Sequence, residues 1–161
     1  MRTFEIKVSP ERAVDGILVR VVDGRPDKQL YMNSITFTGQ TYLYPLAPDP
    51  PLAEALRGFI QLAARSHGFS RSNGDPLITV EAIDIKNRVG FALPDDMSCQ
   101  MESTLRIGVA AQGTEHRVRS FARSQQNLSA LVQTSAEVIV KECLAQHANE
   151  VLNVLAAASG G

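Results

Sequence analysis

Between residues 99 and 124 the chain alternates apolar and polar side chains on either side of one short glycine-containing break. Met101, Leu105, Ile107, Val109 and Ala111 interleave with Gln100, Glu102, Thr104, Arg106 and Gln112. This is the period of two that turns one side of a strand to a core and the other to water. Gly113-Thr114 is expected to turn the chain in two residues. That turn pairs Gln112 with Glu115 and sets Leu105 opposite Ala122, Ile107 opposite Ser120, Val109 opposite Val118 and Ala111 opposite His116. One face of the hairpin is then mainly apolar. The other collects Arg106, Arg117, Arg119 and Arg123 with Glu102 and Phe121 among them, and pairs Glu102 diagonally with Arg123. A hairpin with one apolar face must be covered, so the rest of the chain has to supply the cover.

Two stretches can do so. Pro45, Pro48, Pro50 and Pro51 read as a stiff connector, with Pro51 in the first turn of a helix, where its missing N–H costs nothing. In that helix Leu52, Ala55, Leu56, Phe59, Ile60 and Ala63 share one face, while Glu54, Arg57, Gln61 and Arg65 look away. Gly68 is expected to end it. The second stretch is longer, with Asn127 or Ser129 as its cap. Leu128, Val132, Ala136, Ile139 and Cys143 form a stripe there, which Val140, Leu144, Ala148, Val151 and Leu155 widen to about residue 157.

The remaining segments read as strands. Phe4, Ile6 and Val8 alternate with Glu5 and Lys7 in a short edge strand stopped by Ser9-Pro10. Residues 17–22 form a stronger strand that ends at Asp23-Gly24-Arg25-Pro26. A further strand is expected around residues 35–38, with Tyr42, Leu43 and Tyr44 extended behind it. Ile78 and Val80 point one way and Ile83 and Ile85 the other, which implies a bulge near Ala82. Residues 88–98, rich in glycine, proline and aspartate, read as an exposed loop. No helix fits between the later strands, so a parallel α/β fold is excluded. The expected fold is a single α+β domain over residues 1–161: a two-layer sandwich with an antiparallel-rich sheet and two amphipathic helices on one face.

Charge narrows the partners. The 161 residues carry 16 basic and 17 acidic side chains, a net of −1, which argues against a dedicated nucleic-acid binder. There is no apolar run of about 18 residues and no apolar signal core near Met1. Cys99 and Cys143 lack the spacing of a zinc site. Both can point into one core, as a disulfide in an exported protein or as two thiols in a cytosolic one.

Catalytic signatures are missing: there is no nucleophile elbow, HExxH helix, P-loop, dinucleotide fingerprint or CxxC pair, and His67, His116 and His147 have no base or ligand at motif spacing. No enzyme activity, metal or cofactor is therefore expected. The candidate binding residues are Arg25, Arg106, Arg117, Arg119 and Arg123. Asp23 is the structural member of its turn, accepting nearby backbone N–H groups, whereas Arg25, extended ahead of Pro26, is held away from that turn. Each of these features also has a plain structural reading, a strand-ending turn and a solvated sheet exterior.

Val19-Arg20-Val21-Val22-Asp23-Gly24-Arg25-Pro26, the helix closing in His67-Gly68-Phe69, the long hairpin and the Asn127-initiated final helix together resemble the YajG-like family of bacterial envelope lipoproteins over roughly residues 14–155. The resemblance implies export, a lipid anchor on the outer membrane and a small periplasmic domain that contacts a protein or another envelope component. A homo-oligomer is compatible with it. The lipid-accepting cysteine of that family has no counterpart here, since neither Cys99 nor Cys143 can replace it; any membrane attachment would run through an N-terminal lipid that this chain does not carry. The layout is also similar to that of lipoproteins assisting lipopolysaccharide assembly or lipid-transport ABC systems. Two alternatives stand beside this reading: a small hydrolase or isomerase with a site between sheet and helices, and a cytosolic anion-binding module using the arginine face.

Overall fold

The computed structural model describes residues 3–10, 19–23, 29–35, 40–66, 78–82, 88–92, 96–107, 114–125 and 132–159. Its strands are β1 (Phe4–Lys7), β2 (Val19–Asp23), β3 (Leu30–Ile35), β4 (Thr41–Asp49), β5 (Ile78–Ala82), β6 (Arg88–Ala92), β7 (Asp96–Ile107) and β8 (Thr114–Gln125). The helices are α1 (Leu52–Ser66) and α2 (Val132–Ser159). This is the expected α+β arrangement, with helices packed against sheet.

β7 organises the sheet. Along one edge it pairs antiparallel with β8 over its whole length. Along the other, its first half pairs with β6 and its second half with β5. From there the sheet divides: one wing continues from β6 to β3, β4 and β1, the other from β5 to β2. Pairings β1–β4, β3–β6 and β2–β5 are parallel and the others antiparallel. β7 thus lies inside the sheet, whereas among the described residues β8 is an edge.

The hairpin has the expected faces and a different register. Cys99 lies opposite Ala122, Met101 opposite Ser120, Ser103 opposite Val118, and Leu105 opposite His116 rather than Ala122. Ile107 meets Thr114, not Ser120, so Thr114 belongs to the strand and the expected two-residue turn at Gly113-Thr114 does not form. Val109, Ala111 and Gln112 lie outside the described residues. The slip is an even number of positions, which keeps the inward and outward alternation of the paired positions. The new register puts Cys99, Met101, Val118 and Ala122 together in the core. Glu102 now lies opposite Arg119, with Arg123 opposite Ser98, so the expected diagonal of Glu102 with Arg123 is lost.

Three other expectations are corrected. The third strand is β3, Leu30–Ile35, which starts five residues before the expected 35–38; residues 36–38 lie outside the described residues. β4 runs through Pro45 and Pro48, which were read as a connector. Each proline has a flank without a partner strand: Pro45 faces Tyr31 of β3 and precedes the β1 ladder, and Pro48 faces Ile6 and lies beyond the β3 ladder. A missing N–H directed to such a flank costs no ladder bond. Finally, residues 88–92, expected as loop, form β6, because β3 and β7 flank this short segment on both sides.

Both helices lie where the apolar periodicity puts them. α1 buries Leu52, Ala55, Leu56, Phe59, Ile60, Ala63 and Ala64, and starts as the Ala55 N–H donates to the Pro51 carbonyl (3.0 Å). Gly58 lets Pro10 approach; a Cβ there would stand 3.0 Å from the proline ring. α2 buries Ala136, Ile139, Val140, Cys143, Leu144, Ala148, Val151, Leu152 and Leu155 against α1, β7 and β8. β1, an edge as expected, is fastened by the Lys7 N–H donating to Glu137 Oε1 of α2 (2.9 Å). Gly68, Ile83, Ile85, Asn127, Leu128 and Ser129 lie outside the described residues.

Candidate interaction face and its buried clamp

The inner and outer faces of the hairpin carry different chemistry. On the inner face α2 is tied to β7 at two levels. Cys99 and Cys143 form a disulfide with their Cα atoms 5.8 Å apart. Four residues further along each element, Ser103 Oγ lies 2.5 Å from His147 Nε2, and Ser120 Oγ of β8 lies 2.8 Å from His147 Nδ1. Residues four apart on a helix share a face, as do residues four apart on a strand, so one bridge brings the other into place. Neutral imidazole has one N–H and one acceptor nitrogen, and the two hydroxyls satisfy both. Burial pushes the His147 pKa down to about 4, because the charged form has no water to solvate it.

This trio has the atoms of a nucleophile, a base and an orienting group. Yet His147 is 0% and Ser103 1% exposed, sealed between helix and sheet. A histidine titrating near 4 is also a weak base at neutral pH. The cluster was not foreseen from sequence. Its signal was there in the apolar stripe: His147 follows Cys143 by four residues, and Ser103 and Ser120 occupy inward positions of their strands.

On the outer face Glu102 sits between two arginines. Arg117 Nε lies 3.2 Å from its Oε1 and Arg119 Nε 3.6 Å from its Oε2. The arginine side chains are 64% exposed and the glutamate 12%, so the carboxylate is roofed by the two stems. Each guanidinium has five N–H donors, more than one carboxylate oxygen can occupy. Phe121, next along the outward row of β8, is 61% exposed. The structure therefore brings Arg117 and Arg119 together with Glu102. The backbone register places Arg106, opposite Glu115, and Arg123, opposite Ser98, in the same outward series. Asp23 closes β2 opposite Ala82; Gly24, Arg25 and Pro26 lie outside the described residues.

Among the described residues, no group of three or more His, Cys, Asp or Glu is placed to hold a metal ion. No described helix is long and apolar enough to cross a membrane.

No protein-family model matches the chain, and no curated protein matches it. Among solved structures, protein XCC0632 from Xanthomonas campestris, of family model DUF330, superposes with a TM-score of 0.55 at 10% identity, covering 99% of this chain and 98% of that one. This likeness is one of fold. A minor lipoprotein from Acinetobacter baumannii gives a TM-score of 0.49 at 9% identity, over 65% of this chain and 83% of that one. An uncharacterized protein gives 0.47 at 15% identity, over 98% and 99% of the two chains.

Proposed function

We propose that this chain is the extracytoplasmic domain of a bacterial envelope lipoprotein of the YajG-like kind, acting without catalysis through contacts on its outer sheet face. The observation that carries this reading is the buried Cys99–Cys143 disulfide. Such bonds persist in oxidising compartments such as the periplasm and are rare where thiols are kept reduced. The resemblance in residues 14–155 points to the same compartment. Two features favour contact over catalysis: Ser103 and His147 are closed off from any substrate, while Arg117, Arg119 and Phe121 stand in solvent.

Protease accessibility in cells making the protein from its own gene tests the location. The domain should be digested once the outer membrane is permeabilised and the inner membrane left intact. Protection until the inner membrane is lysed would place it in the cytosol and remove the envelope reading.

A further inference from the structure

Two of the sheet's terminal strands, β1 and β8, are treated differently. β1 is four residues long, and α2 reaches over to take one of its backbone N–H groups through Glu137. Glu5, Lys7 and Asp49 also guard it with exposed charge, Lys7 Nζ lying 3.0 Å from Glu5 Oε1 and 2.6 Å from Asp49 Oδ2. β8 is twelve residues long and pairs with β7 in an unbroken register, with no proline, no lysine and no bulge. Among the described residues no strand covers its other edge. A long edge that no proline, lysine or bulge interrupts is a template for another strand, and the exposed charge that β8 does carry selects by sign which strand can pair with it.

From these features we infer that the edge of β8 docks an extended segment of a partner protein, added as the next strand and alternating acidic with apolar side chains. The inference rests on the contact-based reading above and names the partner for that face. Side chains on an added strand lie directly against the outward row Glu115, Arg117, Arg119 and Phe121, which the strand register continues to position 123, an arginine. That row holds three arginines against one glutamate on a chain whose total charge is −1. Glu102 holds two of the arginines in place from beneath, so little side-chain freedom is lost when a second carboxylate arrives. Phe121 offers an aromatic anchor in the same row.

A second copy of this chain fits poorly. In an antiparallel pair of β8 strands, centring the two-fold axis anywhere from Arg117 to Phe121 sets arginine opposite arginine, which destabilises the pair. An anionic lipid surface can meet the arginines but does not present the alternating donors and acceptors that a strand edge requires.

The test is calorimetric titration of the oxidised protein with a short synthetic peptide alternating Glu and Val. Three parallel probes are the same peptide with Lys for Glu, an analogue N-methylated at consecutive central residues, and phosphatidylglycerol-containing vesicles. The acidic peptide should bind, and the Lys and N-methylated peptides should not. Phe121→Ala should weaken binding about tenfold or more, as should the pair Arg117→Gln and Arg119→Gln. All these side chains are exposed, and unchanged thermal unfolding confirms that each variant is folded. Failure of the acidic peptide to bind overturns the inference. So does equal binding of the N-methylated analogue, which would need no strand edge, or displacement of the peptide by vesicles, which would assign the face to lipid. None of these outcomes bears on the compartment, which the protease experiment decides separately.

Discussion

His147 couples the stability of the domain to pH in a direction its burial dictates. Its folded pKa is about 4 and its unfolded value is the ordinary 6.5. Above 6.5 both states are neutral and nothing is lost. As pH falls from 6.5 to 4 the unfolded chain takes up a proton that the folded chain refuses, so stability declines, by about 3 kcal/mol over the interval, and levels off below it. Urea midpoints measured across that interval should show this decline, and His147→Gln should flatten it; an equal slope in both proteins would mean that His147 is not the group that produces the decline. Ser103→Ala strands a buried imidazole nitrogen and should cost about 1–3 kcal/mol at pH 7. The outer cluster behaves differently. Its arginines are mostly solvated, so Arg117→Gln should change stability by no more than about 1 kcal/mol, and a larger loss by thermal unfolding would make the pair structural.

At the scale of elements, the disulfide and α2 set the largest effects. Closing a loop with a sequence separation of 44 contributes about 4 kcal/mol in the chain-entropy account. The double variant Cys99→Ala and Cys143→Ala should lose stability on that order in chemical denaturation, and a loss near zero would deny the bond its role in the native fold. Leu144→Ala removes a fully buried side chain of α2 and should cost about 2–5 kcal/mol by the same measurement. The faces of these elements were legible in the sequence because parity and helical period depend only on local spacing. Leu52 to Ala63 in α1 and the inward set from Cys99 to Ala122 follow from it. Register was not legible. A turn at Gly113-Thr114 implies one register, but which residues pair is decided by packing along twelve residues of two strands, and by the bridges from Cys143 and His147 that no local pattern contains. β6 and the proline-containing second half of β4 are not legible for the same reason: glycine and proline disfavour strands only until neighbours on both sides, or a flank without a neighbour, change the balance.

For the molecule as a whole, the fold class and the alternation of an apolar with a charged hairpin face were legible in the sequence, and the branching at β7 that leaves β8 an edge among the described residues was not. That branching is a tertiary fact, produced by β5 and β6 sharing one side of β7. With it, a domain of net charge −1 gains an arginine-rich rail on one side and a disulfide-clamped core on the other. Both fit the proposed envelope domain, and the clamp is the feature on which that proposal rests. The decisive measurement is therefore thiol trapping of the protein from its native cells, with alkylation at the moment of lysis followed by mass determination. The account predicts that Cys99 and Cys143 remain unalkylated in the envelope fraction until a reductant is added under denaturing conditions. Recovery of the protein with both cysteines alkylated before any reduction would contradict it.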